Sequence, residues 1–153
     1  AVAGSLGLSG AGLHLLEAGR TEADPEAVAV HRRPSPPIGL GRVAADAGAT
    51  SMVDLSDGLL RDASRVATAS RVRLDLASSA LAVDVARLEP ALGVERARDC
   101  VLSGGEEHSL LATFPGAAAV PTGFRVIGVV RTGSGVAVDG IPQQPRGWDH
   151  FGG

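Results

Sequence analysis

The sequence predicts an α/β chain of the α+β layered kind, in which a mixed β-sheet packs with helices. Two observations carry this reading. Segments of alternating or short apolar character take turns with segments of helical period along the whole chain. The 153 residues suffice for one domain with a real core, and 44% of them are apolar, drawn mostly from Ala, Val and Leu. With three Phe, one Trp and no Tyr, that core must be built from small aliphatic groups.

Ala1 to Leu6 read as a strand, and after Gly7 a helix runs from about Ser9 to Ala18, with Ser9 as its N-cap and Gly19 as its stop. Asp24-Pro25 opens a second helix, a cap followed by Pro at the first helical position, which ends at Arg33-Pro34. Pro34, Pro36 and Pro37 form a stiff connector too short to be a domain linker. Ile38 to Ala47 is a helix weakened by Gly39 and Gly41. Ala49 to Val53 read as a short buried strand, and from Ser56 onward Leu59, Leu60, Ala63, Val66 and Ala67 mark one helix face.

Val72 to Leu76 alternate as a strand does, and Leu81 to Leu88 and Glu95 to Leu102 are helical. The acidic turn Ser103 to His108 feeds a strand from Leu110 to Phe114. Phe124 to Val130 and Val136 to Asp139 are expected to pair as a hairpin across Arg131 to Gly135. The tail is rich in Pro and Gly as far as Gly147-Trp148-Asp149-His150-Phe151.

Composition excludes several classes of function. A net charge of -3 gives no basic footprint for nucleic acid. Every basic residue is Arg, so no lysine mechanism is available; the absence of Lys, Asn and Tyr, whose codons are AT-rich, indicates a GC-rich bacterial genome. The single Cys100 cannot form an internal disulfide, which fits a cytoplasmic protein. There is no signal peptide and no apolar run long enough for a membrane span. The chain opens on strand-like Ala1 to Ala3, as a piece of a longer protein would.

Three clusters carry chemistry. Asp54-Leu55-Ser56-Asp57-Gly58-Leu59 places two acids and a hydroxyl where a strand gives way to a helix, the position at which sheet proteins bind ligands. Carboxylates there suit Mg²⁺, which takes few protein ligands and shares the rest with phosphate oxygens. The same residues also read as Ser56 capping the helix, with Asp57 a first-turn acid paired to Arg61. In Ser103 to Glu107, Gly104 and Gly105 allow close backbone approach and Glu106 and Glu107 offer acceptors; an ordinary helix end followed by a strand start is the other reading. Trp148 can stack on a cationic ring or pin the tail to the core.

His31-Arg32-Arg33 admits phosphate contact or a solvated helix end, and His14 among leucines reads as an ordinary helix residue. Cys100 and His108 lack a third member and an oxyanion hole, so Cys100 reads as a core thiol.

Met52-Val53-Asp54-Leu55-Ser56-Asp57-Gly58-Leu59 with Asp62, then Ser103-Gly104-Gly105-Glu106-Glu107, then Gly147-Trp148-Asp149-His150-Phe151, resembles the C-terminal half of the thiamine-monophosphate kinases. Gly4-Ser5-Leu6-Gly7, Ala11-Gly12-Leu13 and Arg33-Pro34-Ser35-Pro36 support the match, which runs over essentially the whole chain. The wider PurM-like superfamily includes aminoimidazole ribonucleotide synthetase and selenophosphate synthetase, ATP-dependent enzymes with two α/β domains per chain.

The resemblance implies a PurM-like C-terminal domain over residues 1–153, the substrate-binding half of a two-domain kinase whose N-terminal ATP and metal domain is absent from it. It implies in-line phosphorylation of thiamine monophosphate to thiamine diphosphate with ATP and several Mg²⁺ ions, and no phosphoenzyme. Asp54 and Asp57 would be magnesium ligands, Ser56 an ATP-phosphate contact, Glu106 a holder of the thiamine moiety and Trp148 a stacking platform for its ring. A homodimer is expected for the full-length protein, and negligible kinase activity from this chain alone.

One departure concerns the usual Glu-Asp-Tyr-Glu, which is Glu106-Glu107-His108-Ser109 here and bears on detailed substrate contacts. The alternatives are another ATP-dependent synthetase or kinase of the superfamily, and a non-catalytic binding or dimerisation module of the same fold.

Overall fold

The computed structural model describes residues 1–147. In chain order the elements are β1 (Val2–Ala3), α1 (Leu8–Glu17), α2 (Pro25–Arg32), α3 (Ile38–Asp46), β2 (Ser51–Leu55), α4 (Leu59–Ser70) and β3 (Arg73–Leu76). There follow α5 (Ser78–Leu92), α6 (Val94–Ser103), β4 (Ser109–Thr113), β5 (Gly128–Arg131), β6 (Gly135–Val138) and β7 (Ile141–Gln143). No helix among the described residues is long and apolar enough to cross a membrane.

The strands form two sheets. One has the order β1-β4-β2, antiparallel throughout, with Asp54 opposite Leu110 and Leu55 opposite Ser109. The other has the order β5-β3-β6-β7, in which β3 runs antiparallel to β5 and parallel to β6. Val2 and Arg125 exchange backbone hydrogen bonds of 2.8 and 2.9 Å, linking the first sheet to the segment that leads into β5. The layered mixed architecture expected from the alternation is therefore present. Its core is aliphatic, with Leu15, Leu59, Leu60, Leu88, Val101 and Ile127 almost wholly excluded from solvent.

The expected hairpin between Phe124–Val130 and Val136–Asp139 does not form. β3 lies between β5 and β6, because its alternating Leu74 and Leu76 are buried and claim the inner position, while β5 is mostly exposed. The hairpin that does form joins β6 to β7 through Asp139-Gly140, with φ of 51° and 78°. Two consecutive positive φ values match the strand twist of a two-residue turn. Pro142 in β7 is tolerated because β7 is an edge strand.

Two helix starts differ from expectation because a glycine at positive φ stands at each N-cap. The N-cap of α1 is Gly7 at φ 85°, and Ser9 sits inside the first turn. The N-cap of α4 is Gly58 at φ 113°, so Ser56 precedes the helix instead of capping it. The α2 start is as expected: Asp24 Oδ1 accepts from the Ala27 N–H at 3.1 Å, and Pro25 follows it. Helices α1 and α2 pack where Gly12 has no side chain; a Cβ there would lie 2.1 Å from the Ala27 carbonyl oxygen.

Arg87 of α5 clamps this corner. Its two terminal nitrogens reach Asp24 at 2.6 and 3.1 Å, and one also reaches Glu26 at 2.6 Å. The guanidinium hydrogen bonds hold the Asp24 carboxyl below the usual aspartate range. A depressed carboxyl contributes stability above its unfolded pKa and loses it as pH falls through the folded value. Arg87→Ala is accordingly expected to lower Tm at neutral pH, with the gap to wild type narrowing on acidification below about pH 4; thermal melts across that range check it.

Candidate active site

The site begins where β2 ends. Leu55 is buried and anchors the strand, while Asp54 beside it leaves about half of its side chain exposed (49%). The chain then turns through Ser56, Asp57 and Gly58 into α4. Asp62, fully buried in the first turns of α4, reaches back and accepts from the Asp57 backbone N–H at 2.9 Å. Its other oxygen meets Arg65 Nη1 at 2.5 Å, and Arg65 Nη2 lies 2.6 Å from Asp57 Oδ2. One guanidinium thus bridges two buried carboxylates. Burial pushes the Asp62 carboxyl up, and the Asp57 amide and Arg65 oppose that push.

The glycine-rich loop after α6 packs directly onto this turn. The Glu106 N–H donates to the Ser56 carbonyl at 2.8 Å, and the His108 N–H to the Leu55 carbonyl at 3.2 Å. The contact is closer than side chains allow: a Cβ on Gly105 would lie 2.2 Å from the Ser56 oxygen, and one on Gly58 2.5 Å from the Ser103 oxygen. Gly147 closes the third side, since a Cβ there would lie 2.0 Å from the Asp57 oxygen. The three clusters singled out in the sequence are therefore neighbours up to Gly147. Trp148 lies outside the described residues.

Within the loop the two glutamates part company. Glu106, at φ 66°, is exposed and lines a cavity of about 620 Å³ together with Ser9, Leu13, His31, Gly104 and Gly147. That size falls in the ~300–1,000 Å³ range of small-molecule sites. Glu107 turns inward and is buried (6% exposed). Its carboxylate accepts from the N–H groups of Gly7, Leu8 and Ser9 at 2.5, 2.7 and 3.2 Å and from the Ser5 hydroxyl at 3.1 Å. It caps α1 from about a hundred residues away and satisfies donors a helix start leaves open. Burial pushes the Glu107 carboxyl up, against the pull of these four donors.

His108, at φ 54°, places Nδ1 2.9 Å from Asp54 Oδ2. It faces the acidic turn, not Cys100, whose buried thiol is pushed up to about 11 by desolvation. Cys100 is therefore a core thiol, as the sequence suggested. His14 stands 3.9 Å from Glu17 on the surface of α1. His31 is turned toward Ser9, with Nδ1 3.1 Å from its hydroxyl.

Four participants escaped the sequence reading: Arg65, the capping role of Glu107, the His108–Asp54 contact and the Ser9–His31 pair. Only Arg65 had a local signal, standing at i+3 from Asp62 on one helix face.

An acidic turn with one open carboxylate fits an ion held by few protein ligands and completed by phosphate oxygens. Asp54 offers such an oxygen, and a cation at Asp57 would share its carboxylate with Arg65. Among the described residues no group of three His, Cys, Asp or Glu side chains is placed to hold a metal unaided. Glu107→Ala removes the acceptor of three buried amides and is expected to cost about 3 kcal/mol or more, with Glu107→Gln costing less. Urea denaturation measures both; a loss under about 1 kcal/mol for the alanine would mean that water replaces the carboxylate.

Residues 1–140 match the family model described as AIR synthase related protein, C-terminal domain. The thiamine-monophosphate kinase of Mycobacterium tuberculosis is 45% identical over 157 residues, covering 99% of this chain and 46% of the relative. That of Aquifex aeolicus is 35% identical, covering 98% and 50%. The solved structure of AaThiL complexed with AMPPCP and TMP superposes with a TM-score of 0.84 at 33% identity, over 98% of this chain and 50% of the other. A thiamine-monophosphate kinase from Stenotrophomonas maltophilia gives a TM-score of 0.75 at 30% identity. The chain spans about half the length of the curated relatives it matches. Fold, motif order and the matched model agree, and the chain belongs to the family of AIR synthase-related C-terminal domains.

Proposed function

We propose that this chain is the C-terminal, acceptor-binding half of an ATP-dependent kinase that phosphorylates thiamine monophosphate to thiamine diphosphate. The observation that carries the reading is the bond between the Glu106 amide and the Ser56 carbonyl. It joins a phosphate-and-metal turn to a cavity of ligand size, so the two reactants would meet at one seam. The names of the relatives, and the AMPPCP and TMP bound in AaThiL, support the same reading.

In this proposal Asp54 and Asp57 hold Mg²⁺ and Ser56 contacts an ATP phosphate, while Glu106 and Trp148 hold the thiamine moiety. Magnesium, when bound, supplies charge neutralisation on the transferred phosphoryl group. The chain's own groups bind and orient. Asp54 keeps one oxygen on His108 and presents the other, and Arg65 keeps the paired acids Asp57 and Asp62 in place. Glu106 and an indole face both favour a thiazolium cation. The substrate phosphate attacks in line and ADP departs, with no protein nucleophile needed.

A second domain, supplied by the rest of the polypeptide, would complete the nucleotide site; the working form is a cytoplasmic homodimer.

The deciding experiment is turnover of thiamine monophosphate with ATP and Mg²⁺ by the full-length protein. Asp54→Ala in that enzyme is expected to lower kcat by about a hundredfold or more, read by thiamine diphosphate formation. The isolated chain is expected to show no turnover, and measurable activity from it would sink the half-site reading. Trp148→Ala is expected to raise KM for thiamine monophosphate roughly tenfold and to leave KM for ATP unchanged; an unmoved KM would assign Trp148 to pinning the tail.

A further inference from the structure

The cavity beside Glu106 has a second polar wall that the motif residues do not account for. His31 stands at the end of α2, brought against α1 by the missing side chain of Gly12, whose Cβ would lie 2.8 Å from His31 Cβ. Ser9 is completely buried (0% exposed), and among the described residues its hydroxyl has one partner, His31 Nδ1 at 3.1 Å. A buried hydroxyl proton left without an acceptor is costly, so Ser9 donates to Nδ1. A ring that accepts at Nδ1 carries its proton on Nε2, and no other hydrogen bond holds His31 among the described residues. Because His31 lines the cavity, that N–H is a donor available to whatever enters it.

The donor is also fixed relative to Glu106. The Ser9 N–H binds Glu107 at 3.2 Å, so the loop bearing Glu106 and the imidazole of His31 are both tied to the first turn of α1. His31 and Glu106 line the same cavity and share that support. A heteroaromatic ring nitrogen with a free lone pair is an acceptor that a neutral N–H donor of this kind can meet.

We propose that His31, held by Ser9, is a specificity-determining residue that donates from Nε2 to a ring nitrogen of an aminopyrimidine in the acceptor substrate. The proposal rests on the thiamine monophosphate reading above. Its test uses the full-length enzyme and pyridine analogues of thiamine monophosphate in which each pyrimidine ring nitrogen in turn is replaced by CH.

Wild type is expected to disfavour at least one analogue by roughly tenfold in kcat/KM. His31→Ala is expected to raise KM for thiamine monophosphate by a similar factor, to leave KM for ATP unchanged and to accept that analogue as readily as the natural ring. His31→Gln, whose amide N–H can replace Nε2–H, is expected to restore part of the discrimination. If His31→Ala does not fold, His31→Gln and Ser9→Ala carry the comparison, and Ser9→Ala is expected to weaken the discrimination.

Variants that shift Tm but discriminate as wild type does would overturn the proposal and leave His31 as helix packing. A wild type that does not turn over thiamine monophosphate at all would overturn the reading beneath it, and the proposal with it.

Discussion

The carboxylate of Glu107 organises the molecule around it. Three amides at the start of α1 and one hydroxyl converge on it, in a place where water cannot substitute freely. The interaction is charge-assisted and joins the first turn of α1 to a loop about a hundred residues further along the chain, so it ties distant segments together as well as capping a helix. From it follow the position of the Ser103–His108 loop, the seating of that loop on the turn after β2, and the outward aim of Glu106. Ser9 extends the same network to α2. Glu107, which the sequence offers as an acceptor beside Glu106, is a structural member of the fold.

Glycine is the second constraint. The acidic turn and the loop approach at backbone distance at Gly58 and Gly105, and the tail reaches the turn at Gly147. A side chain at any of the three would separate surfaces that have to touch, two of them joined by the Ser56–Glu106 bond. This is why motifs that look unremarkable singly, an N-terminal acid pair and a helix-ending Gly-Gly, become informative in combination.

How much of this was legible follows from how local each cause is. The alternation of periods gave the layers, and Asp24-Pro25 gave the start of α2, because cap and helix are adjacent in the chain. The start of α4 was misplaced at Ser56 because Gly58, at φ 113°, is the N-cap. The start of α1 was misplaced at Ser9 because its open amides are met by Glu107, and nothing in a short window announces a carboxylate from a hundred residues away. The misread hairpin has the same origin. β5 and β6 are near in sequence, but the buried side of β3 competes for the place between them. The Asp139-Gly140 turn lies in a segment read only as a Pro- and Gly-rich tail, so β7 was not anticipated. At the site, the acids and glycines were visible as motifs; their partners Arg65, His108 and Ser9 were not, since each pairing depends on tertiary geometry.

Arg65 has a bearing on how the domain comes into being. Two carboxylates buried at the start of α4 would repel each other, and a turn that relied on bound ions to relieve them would stay unformed until those ions arrived. The guanidinium bridging Asp57 and Asp62 removes that dependence from within α4 itself. The turn therefore takes its shape from the chain's own charges, carried within a single helix and the residues just before it.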